Sequence, residues 1–215
     1  MENFQELYKA YNELEDLFMG FVKAMVNALD AKSPWTRGHS ERVTAFAQEI
    51  ACELNLNDGE RKAVTFASLL HDIGKIGTYG EILEKSEKLT PEEFELIKKH
   101  PVQGAEILRG IKHFDKVRLI IRHHHENIDG TGYPGGLKGD DIPLGSRIVH
   151  VADAFDTMTE DRPYRPALHI NHAVAELKKF SGTQFDPNVV DAWLRVLDIH
   201  KDWLSQFKQM ASDTE

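Results

Sequence analysis

Histidines and aspartates offer the most chemistry in this chain, because eleven histidines stand in an acidic sequence of 215 residues. His71 and Asp72 directly follow the apolar run ASLL, and His124 and His125 form a second adjacent pair. Adjacent side chains on a helix point ~100° apart, since one turn takes 3.6 residues. One residue of such a pair can bind a single metal ion while a carboxylate beside it bridges two. The candidate metal ligands are His39, His71, Asp72, His100, His124, His125 and Asp153.

The ligand types restrict the metal. Imidazoles and carboxylates without thiolates suit iron, manganese or zinc in a reactive site, whereas structural zinc sites usually contain cysteine. An isolated histidine is more often an ordinary surface or core residue, and four belong to that class: His113, His169, His172 and His200. His123 is ambiguous, because a helix cannot aim three successive side chains at one point.

Composition limits the class of protein. The length fits one domain, or one domain with an appendage. The net charge of −9 makes a nucleic-acid polymer a poor partner, because such binding depends on Lys and Arg. A small phosphorylated ligand needs only a locally positive site. No stretch approaches the ~20 apolar residues of a membrane helix, and the acidic amphipathic N-terminus is unlike a signal peptide. Cys52 is the single cysteine, so no internal disulfide is expected and a cytoplasmic location is predicted.

Helical periodicity dominates the elements that must position these residues. Thr90, Pro91 and Glu93 form a capping-box start. Residues 126–146 contain six glycines and two prolines, which predicts a long ordered loop. No run of strands is evident, so the predicted fold class is all-α. The predicted helices span residues 43–54, 57–70, 90–100, 103–109, 114–125, 146–158, 186–197 and 200–210.

The first thirty residues form an amphipathic helix with a heptad repeat. Phe4, Tyr11, Phe18 and Met25 recur every seven residues, and a second apolar series follows three residues behind, at 7, 14, 21 and 28. One interpretation is a signalling helix that pairs with a second copy or joins a sensor domain. The other is a helix packed on its own domain. The predicted division is residues 1–30 for this helix and 31–215 for the domain.

Beyond residue 30 the chain resembles the HD-GYP family, a branch of the HD-type metal phosphohydrolases. The pattern combines HD-x-G-K, HHE-x-x-DG-x-GYP and a late aspartate in this order and spacing. The matching segments are 36–43, 69–77, 84–108, 124–165 and 182–190. The resemblance implies an HD-type helical bundle that hydrolyses cyclic di-GMP to linear pGpG by a hydroxide that two metal ions activate.

The resemblance also implies roles for individual residues. His39, His71, Asp72 and Asp153 correspond to the ligands of one metal ion. Asp72, His100, His124 and His125 correspond to those of the other, with Asp72 bridging. The predicted catalytic residues are Asp72 and Lys75. The predicted phosphate contacts are Lys75, Arg162 and Arg165. The alternative for the side chains of Lys75, Arg162 and Arg165 is that they are solvated surface charges.

Departures from the family pattern refine these expectations. Trp35 stands where some members have a glutamate that helps to bind a third metal, so a two-metal site is predicted, with iron or manganese first and zinc, nickel or magnesium as alternatives. Slow or absent cleavage of pGpG to GMP is expected with two metals. Asn127 and Ile128 replace an Arg-Trp type pair of many relatives, which leaves substrate contacts at that edge open.

Three functions compete. The first is a cyclic di-GMP phosphodiesterase, and the second is a hydrolase of another cyclic nucleotide or dinucleotide. The third is a catalytically silent receptor or adaptor whose GYP loop, at Gly132, Tyr133 and Pro134, binds a partner such as a GGDEF-type protein. Retention of every matched ligand argues against the third. The physical role expected for Gly132, Tyr133 and Pro134 is structural: a turn, a packing contact and a fixed φ.

Overall fold

The computed structural model describes residues 2–31, 37–76, 90–161 and 166–200. Over these ranges the chain forms nine α-helices and no β-strand, which confirms the all-α prediction. Trp35, Arg162, Arg165 and nearly all of the last predicted helix lie outside the described residues. The helices are α1 (Glu2–Asp30), α2 (His39–Glu53), α3 (Asp58–Leu70), α4 (Pro91–Ile97), α5 (His100–Ile107), α6 (Asp115–His123), α7 (Leu144–Thr159), α8 (Ile170–Lys179) and α9 (Pro187–Ile199).

Capping residues set several helix starts where the sequence predicts them. Asn57 and Thr90 each complete a capping box, with Glu60 and Glu93 respectively. The two helices predicted over 90–100 and 103–109 are both present with shifted bounds, because α4 ends at Ile97 and α5 already begins at His100. The sequence analysis missed α8. Its apolar residues Ile170, Ala173, Val174 and Leu177 nevertheless have helical spacing and pack in or against the core.

Two helical hairpins bring the candidate ligands to one end of the bundle. His39 is the first residue of α2, and His71 and Asp72 directly follow α3. A short connection joins these packed helices, so the start of one lies beside the end of the other. The hairpin of α5 and α6 repeats the arrangement with His100 and the 124–125 pair. Helix α7 packs against α2, α3 and α6 and supplies Asp153 from its middle.

The core lies behind this end of the bundle. Phe46 on α2, Phe155 on α7 and Trp193 on α9 are almost fully buried. Their ring centroids lie 5.0–5.6 Å apart, in tilted and edge-to-face contacts. Such aromatic clusters combine large apolar burial with a fixed geometry. This cluster fixes α2 against α7, and with them His39 against Asp153.

A 3₁₀ turn at Ile73–Lys75 follows the first hairpin and packs against α5 of the second. Gly74 in this turn lies so close to α5 that an added Cβ would stand 2.0 Å from the carbonyl oxygen of His100. The close approach sets the distance between the segment that carries Asp72 and the segment that carries His100.

Helix α1 packs on the domain through its C-terminal half. Val22 and Val26 are buried, and the Phe18 ring contacts Phe66 and Phe114. At the end of α1, the Asp30 carboxylate accepts hydrogen bonds from the Ser40 backbone N–H and the Ser40 hydroxyl, both at 3.2 Å. Asp30 therefore caps the N-terminus of α2 from a neighbouring helix. Among the described residues, no helix combines the length and apolar character needed to span a bilayer.

Candidate metal centre

All seven predicted ligands converge at one end of the bundle. His39, His71 and Asp72 form one group whose ligand atoms lie within 4.8 Å of one another, and His100, His124 and His125 form another. Asp153 adjoins the first group, because its Oδ1 lies 3.4 Å from His39 Nε2 and 4.0 Å from His71 Nε2. Segments more than a hundred residues apart in the chain thus supply one constellation.

Asp72 lies between the two groups. Its Oδ1 stands 3.3 Å from His100 Nε2, while its Oδ2 stands 3.6 Å from His71 Nε2 and 4.0 Å from His39 Nε2. One oxygen therefore faces each group. This is the arrangement required of a carboxylate that bridges two cations.

Backbone carbonyls fix the orientation of three imidazoles. The Nδ1 atoms of His71, His100 and His124 lie 2.6–2.8 Å from the carbonyl oxygens of the residues three positions earlier. A carbonyl can only accept a hydrogen bond, so each Nδ1 carries the proton. Each neutral ring then presents the lone pair of Nε2 to the centre, as metal-ligating histidines do.

His39 is oriented by a carboxylate instead. Its Nδ1 donates to Asp156 Oδ2 at 2.7 Å, and the Arg42 guanidinium donates to both oxygens of the same carboxylate. Burial opposes a charge on His39, but this hydrogen bond and the charges of Asp156 and Asp153 outweigh it and raise the pKa of the ring. A bound cation would compete for the proton at Nε2, which faces Asp72 and Asp153.

Converging lone pairs give the centre an affinity for cations. The Nε2 atoms of His100 and His124 lie 3.2 Å apart. Both rings are neutral near pH 7, because burial lowers the pKa of His100 to about 4 and that of His124 well below its usual value. Two acceptors at this distance repel unless a cation lies between or beside them. The buried His71 Nε2 also has no hydrogen-bond partner among the described residues. The donor set therefore fits divalent metal ions.

The carboxylates remain ionised despite their burial. Burial opposes the charge of Asp72, but the Lys75 ammonium and the imidazole of His71 outweigh it, so the pKa of Asp72 falls well below its usual range. Burial likewise opposes the charge of Asp153, and the nearby His71 and His39 lower its pKa. Lys75 Nζ lies 2.5 Å from Asp72 Oδ2, at the edge of the centre.

The Gly-rich loop is held against the second group by Glu126. This buried carboxylate accepts hydrogen bonds from the backbone N–H groups of Gly135 (2.6 Å) and Leu137 (3.0 Å). The Tyr133 ring lies over His125 with a centroid distance of 4.9 Å and an interplanar angle of 32°. The loop thus covers one ligand of the second group, in agreement with the structural role expected for Tyr133.

Gly132 is required by space and not by a backbone angle that only glycine tolerates. It is not among the glycines with positive φ. An added Cβ would lie 2.2 Å from the Asn127 nitrogen and 2.5 Å from the His125 carbonyl oxygen. The glycine therefore lets the loop lie directly on the segment that carries the second histidine pair.

Sequence reasoning missed His150. This buried residue of α7 holds the carbonyl of Glu126 through Nδ1 at 3.0 Å, and its ring stands 6.0 Å from that of His125. The sequence spacing could have identified His150, because it stands three residues before Asp153 and therefore lies on the same face of the helix. His123, which was ambiguous, faces Glu126 at 3.2 Å instead of the metal groups.

We expect Asp156→Asn to weaken metal binding by about 10–100-fold, the usual effect of losing a group that orients a ligating histidine. The amide cannot match the charged acceptor that now holds both His39 Nδ1–H and Arg42. Competition of the purified protein with a metal-binding dye would measure the affinity. Asp191→Asn, an exposed carboxylate on α9, is the matched control. Equal affinities in the two variants would contradict the role assigned to Asp156.

We expect Glu126→Gln to destabilise the loop by about 1–3 kcal/mol, because the amide oxygen can accept one of the two backbone N–H bonds but the NH₂ group cannot accept the other, which leaves a buried donor unpaired. Hydrogen exchange should become faster over residues 133–137 than in wild type. The exposed Glu6→Gln change on α1 should leave exchange there unaltered. Unchanged protection in Glu126→Gln would show that the loop is held by other contacts.

Comparison with known proteins decides the family. A family model described as HD domain matches residues 23–189. The chain belongs to the HD domain family. This confirms the HD-type fold, and the His71-Asp72 pair singled out in the sequence lies within the matched range.

The names of two relatives of this HD domain describe them as phosphodiesterases of cyclic dinucleotides. A 3'3'-cGAMP-specific phosphodiesterase 3 of Vibrio cholerae is 37% identical over 96% of this chain and 45% of its own length. The cyclic di-GMP phosphodiesterase response regulator RpfG of Xanthomonas campestris is 39% identical over 89% of this chain and 51% of its own length. The HD domain chain thus spans about half the length of these curated relatives.

Among solved structures, an HDGYP protein from Bdellovibrio bacteriovorus is similar to this HD domain with a TM-score of 0.62 and 27% identity. The likeness covers 78% of this chain and 53% of the other. The family resemblance drawn from the motifs is therefore confirmed.

Proposed function

We propose that the chain is a metal-dependent cyclic-dinucleotide phosphodiesterase that converts cyclic di-GMP to linear pGpG. The observation that carries this proposal is the position of Asp72, with one carboxylate oxygen toward each group of histidines. The names of the relatives support the substrate class. The retention of all seven candidate ligands supports catalysis over a silent receptor.

The proposed ligands of the first metal ion are His39, His71, Asp72 and Asp153, and those of the second are Asp72, His100, His124 and His125. Iron or manganese is the proposed metal. When bound, such ions would polarise the phosphoryl oxygens and lower the pKa of a coordinated water toward neutrality. The ionised Asp72 and Asp153 and the neutral imidazoles supply the charge and lone pairs that hold divalent cations.

The role proposed for Lys75 is to stabilise negative charge on the phosphoryl oxygens. Its ammonium already lies beside Asp72 and is partly exposed, so it stands where a phosphate at the centre would arrive. Arg162 and Arg165 are proposed to contact phosphate as well, by family analogy. With two divalent cations bound, the centre would be locally positive and could attract a dianionic ligand to a chain of net charge −9. The upstream sensor domain and the GGDEF-type partner remain predictions.

Product analysis after anaerobic purification tests the proposal. Metal analysis should find two ions of iron or manganese per chain, and chromatography should identify pGpG from cyclic di-GMP. Parallel reactions with 3'3'-cGAMP and a simple phosphodiester separate the substrate classes, and the Vibrio relative named for cGAMP makes that comparison necessary. Preferential cleavage of 3'3'-cGAMP would replace the substrate proposed here. Failure to cleave any cyclic dinucleotide with both metals bound would refute the function.

A further inference from the structure

Helix α1 carries two apolar stripes: its own domain covers one of them, and the other is largely exposed although its Phe18 contacts Phe66 and Phe114. The covered stripe contains Val22 and Val26, which are 6% and 1% exposed, with Met19 and Leu29 beside them. The other stripe, here called the α1 seam, follows the heptad positions. Its members are 39–74% exposed and comprise Phe4, Leu7, Tyr11, Leu14, Phe18, Phe21 and Met25.

The charge of α1 argues against a lipid surface as the occupant of the seam. Six acidic residues and two basic ones stand between Glu2 and Asp30. Helices that lie on membranes are typically rich in Lys and Arg, because cellular lipid surfaces are anionic. An acidic helix with an exposed aromatic stripe therefore favours a protein partner over a lipid surface.

The heptad repeat of the seam and the residues that flank it indicate pairing with a second copy of the same helix. An apolar repeat with a mean spacing of 3.5 residues fits another helix with that repeat, through knobs-into-holes packing. Charges in the flanking positions usually decide which helices pair. Here the only charged flanking residue within 4–30 is Glu15, whose carboxylate lies 2.5 Å from Lys62 Nζ of its own domain. Two copies can therefore meet without repulsion between like charges.

The size of the seam matches what a stable dimer needs. Three aromatic side chains of the seam, Phe4, Tyr11 and Phe21, and the flanking Tyr8 are each more than half exposed. Together they would bury on the order of 400–500 Å², since an aromatic side chain buries ~150–250 Å² in full. The exposed leucines at 7 and 14 in the seam and at 17 beside it bring the area near the ~800 Å² per partner of a standard interface.

We propose that α1 is a dimerisation helix whose seam packs against the α1 seam of a second copy. Leu14 lies at the middle of the seam, which runs from residue 4 to residue 25. It therefore meets its own counterpart in either a parallel or an antiparallel pair. The adjacent Glu13 is exposed and pairs with Lys9 along the helix at 3.7 Å. Since neighbouring residues point ~100° apart, Glu13 lies off the seam.

Sedimentation velocity of the whole chain tests this directly. The wild type should sediment as a dimer of 24.5 kDa subunits, and Leu14→Glu should raise the dimer dissociation constant at least about tenfold, because it buries a carboxylate in an apolar seam. Glu13→Gln should leave the dimer intact. Circular dichroism would verify that all three proteins fold, as the 64% exposure of Leu14 leads us to expect. A monomeric wild type, or a dimer unaffected by Leu14→Glu, would overturn the proposal.

Cysteine cross-linking supplies an independent readout. In a Cys52→Ser background, which removes the exposed native thiol, Leu14→Cys should give a disulfide-linked dimer and Glu13→Cys should not. Equal cross-linking at the two positions would exclude a specific seam. Cosedimentation of the wild type with anionic vesicles, lost in Leu14→Glu, would assign the seam to lipid and refute the dimer. None of these outcomes depends on catalysis.

Discussion

Asp72→Ala is expected to reduce cyclic di-GMP hydrolysis by at least about 1,000-fold and to lower the metal content below two ions per chain. Asp72 is the one ligand that faces both groups of histidines, so its loss affects both proposed ions. Metal catalysis supplies several kcal/mol of transition-state stabilisation, and each 1.36 kcal/mol corresponds to a factor of ten in rate. Initial rates and elemental analysis of the same preparation would measure both effects.

Asp72→Asn separates loss of charge from loss of packing, because the amide keeps the shape of the side chain. It should lose activity nearly as far as the alanine variant while keeping the melting temperature closer to wild type. Asp141→Ala, at an exposed carboxylate, should match the wild type in rate and metal content. An Asp72→Asn protein that retained two ions and the full rate would remove the bridging role.

Gly74→Ala is expected to disturb the metal centre without removing any ligand. The new Cβ would stand 2.0 Å from the His100 carbonyl oxygen and 2.6 Å from the Gly104 nitrogen, and both are backbone atoms of α5. Overpacking of this kind costs about 1–3 kcal/mol or more. For a chain of this size that lowers the melting temperature by roughly 2–4 °C per kcal/mol. Because the turn must move away from α5, the distance between Asp72 and His100 grows, and bound metal should fall with stability.

Gly110→Ala provides the control for this substitution. Gly110 also lies in a 3₁₀ turn, but an added Cβ there would meet nothing within 4 Å. Its thermal unfolding and metal content should equal those of the wild type. If Gly74→Ala behaved like Gly110→Ala in both measurements, the contact between the turn and α5 would not set the geometry of the centre.

Sequence alone located the candidate ligands because their signals are local. The HD and HHE motifs, the Gly-rich loop and the capping boxes at Asn57 and Thr90 are each contained in a short segment. The partners of these residues were not predictable in the same way. Asp156 acquires its role only when α7 packs beside α2, and the contact between His150 and Glu126 exists only once the loop closes on α7. Helix α8 was missed although its apolar residues at 170, 173, 174 and 177 have the spacing of an amphipathic helix.

Asp30 links the end of the N-terminal helix α1 to the start of α2. Its carboxylate accepts two hydrogen bonds from Ser40, the residue that follows the candidate ligand His39. A movement of α1 relative to the domain would therefore either break these hydrogen bonds or shift the start of α2. The hydrogen bonds of Asp30 therefore end one peptide bond from His39, a candidate ligand of the proposed metal centre.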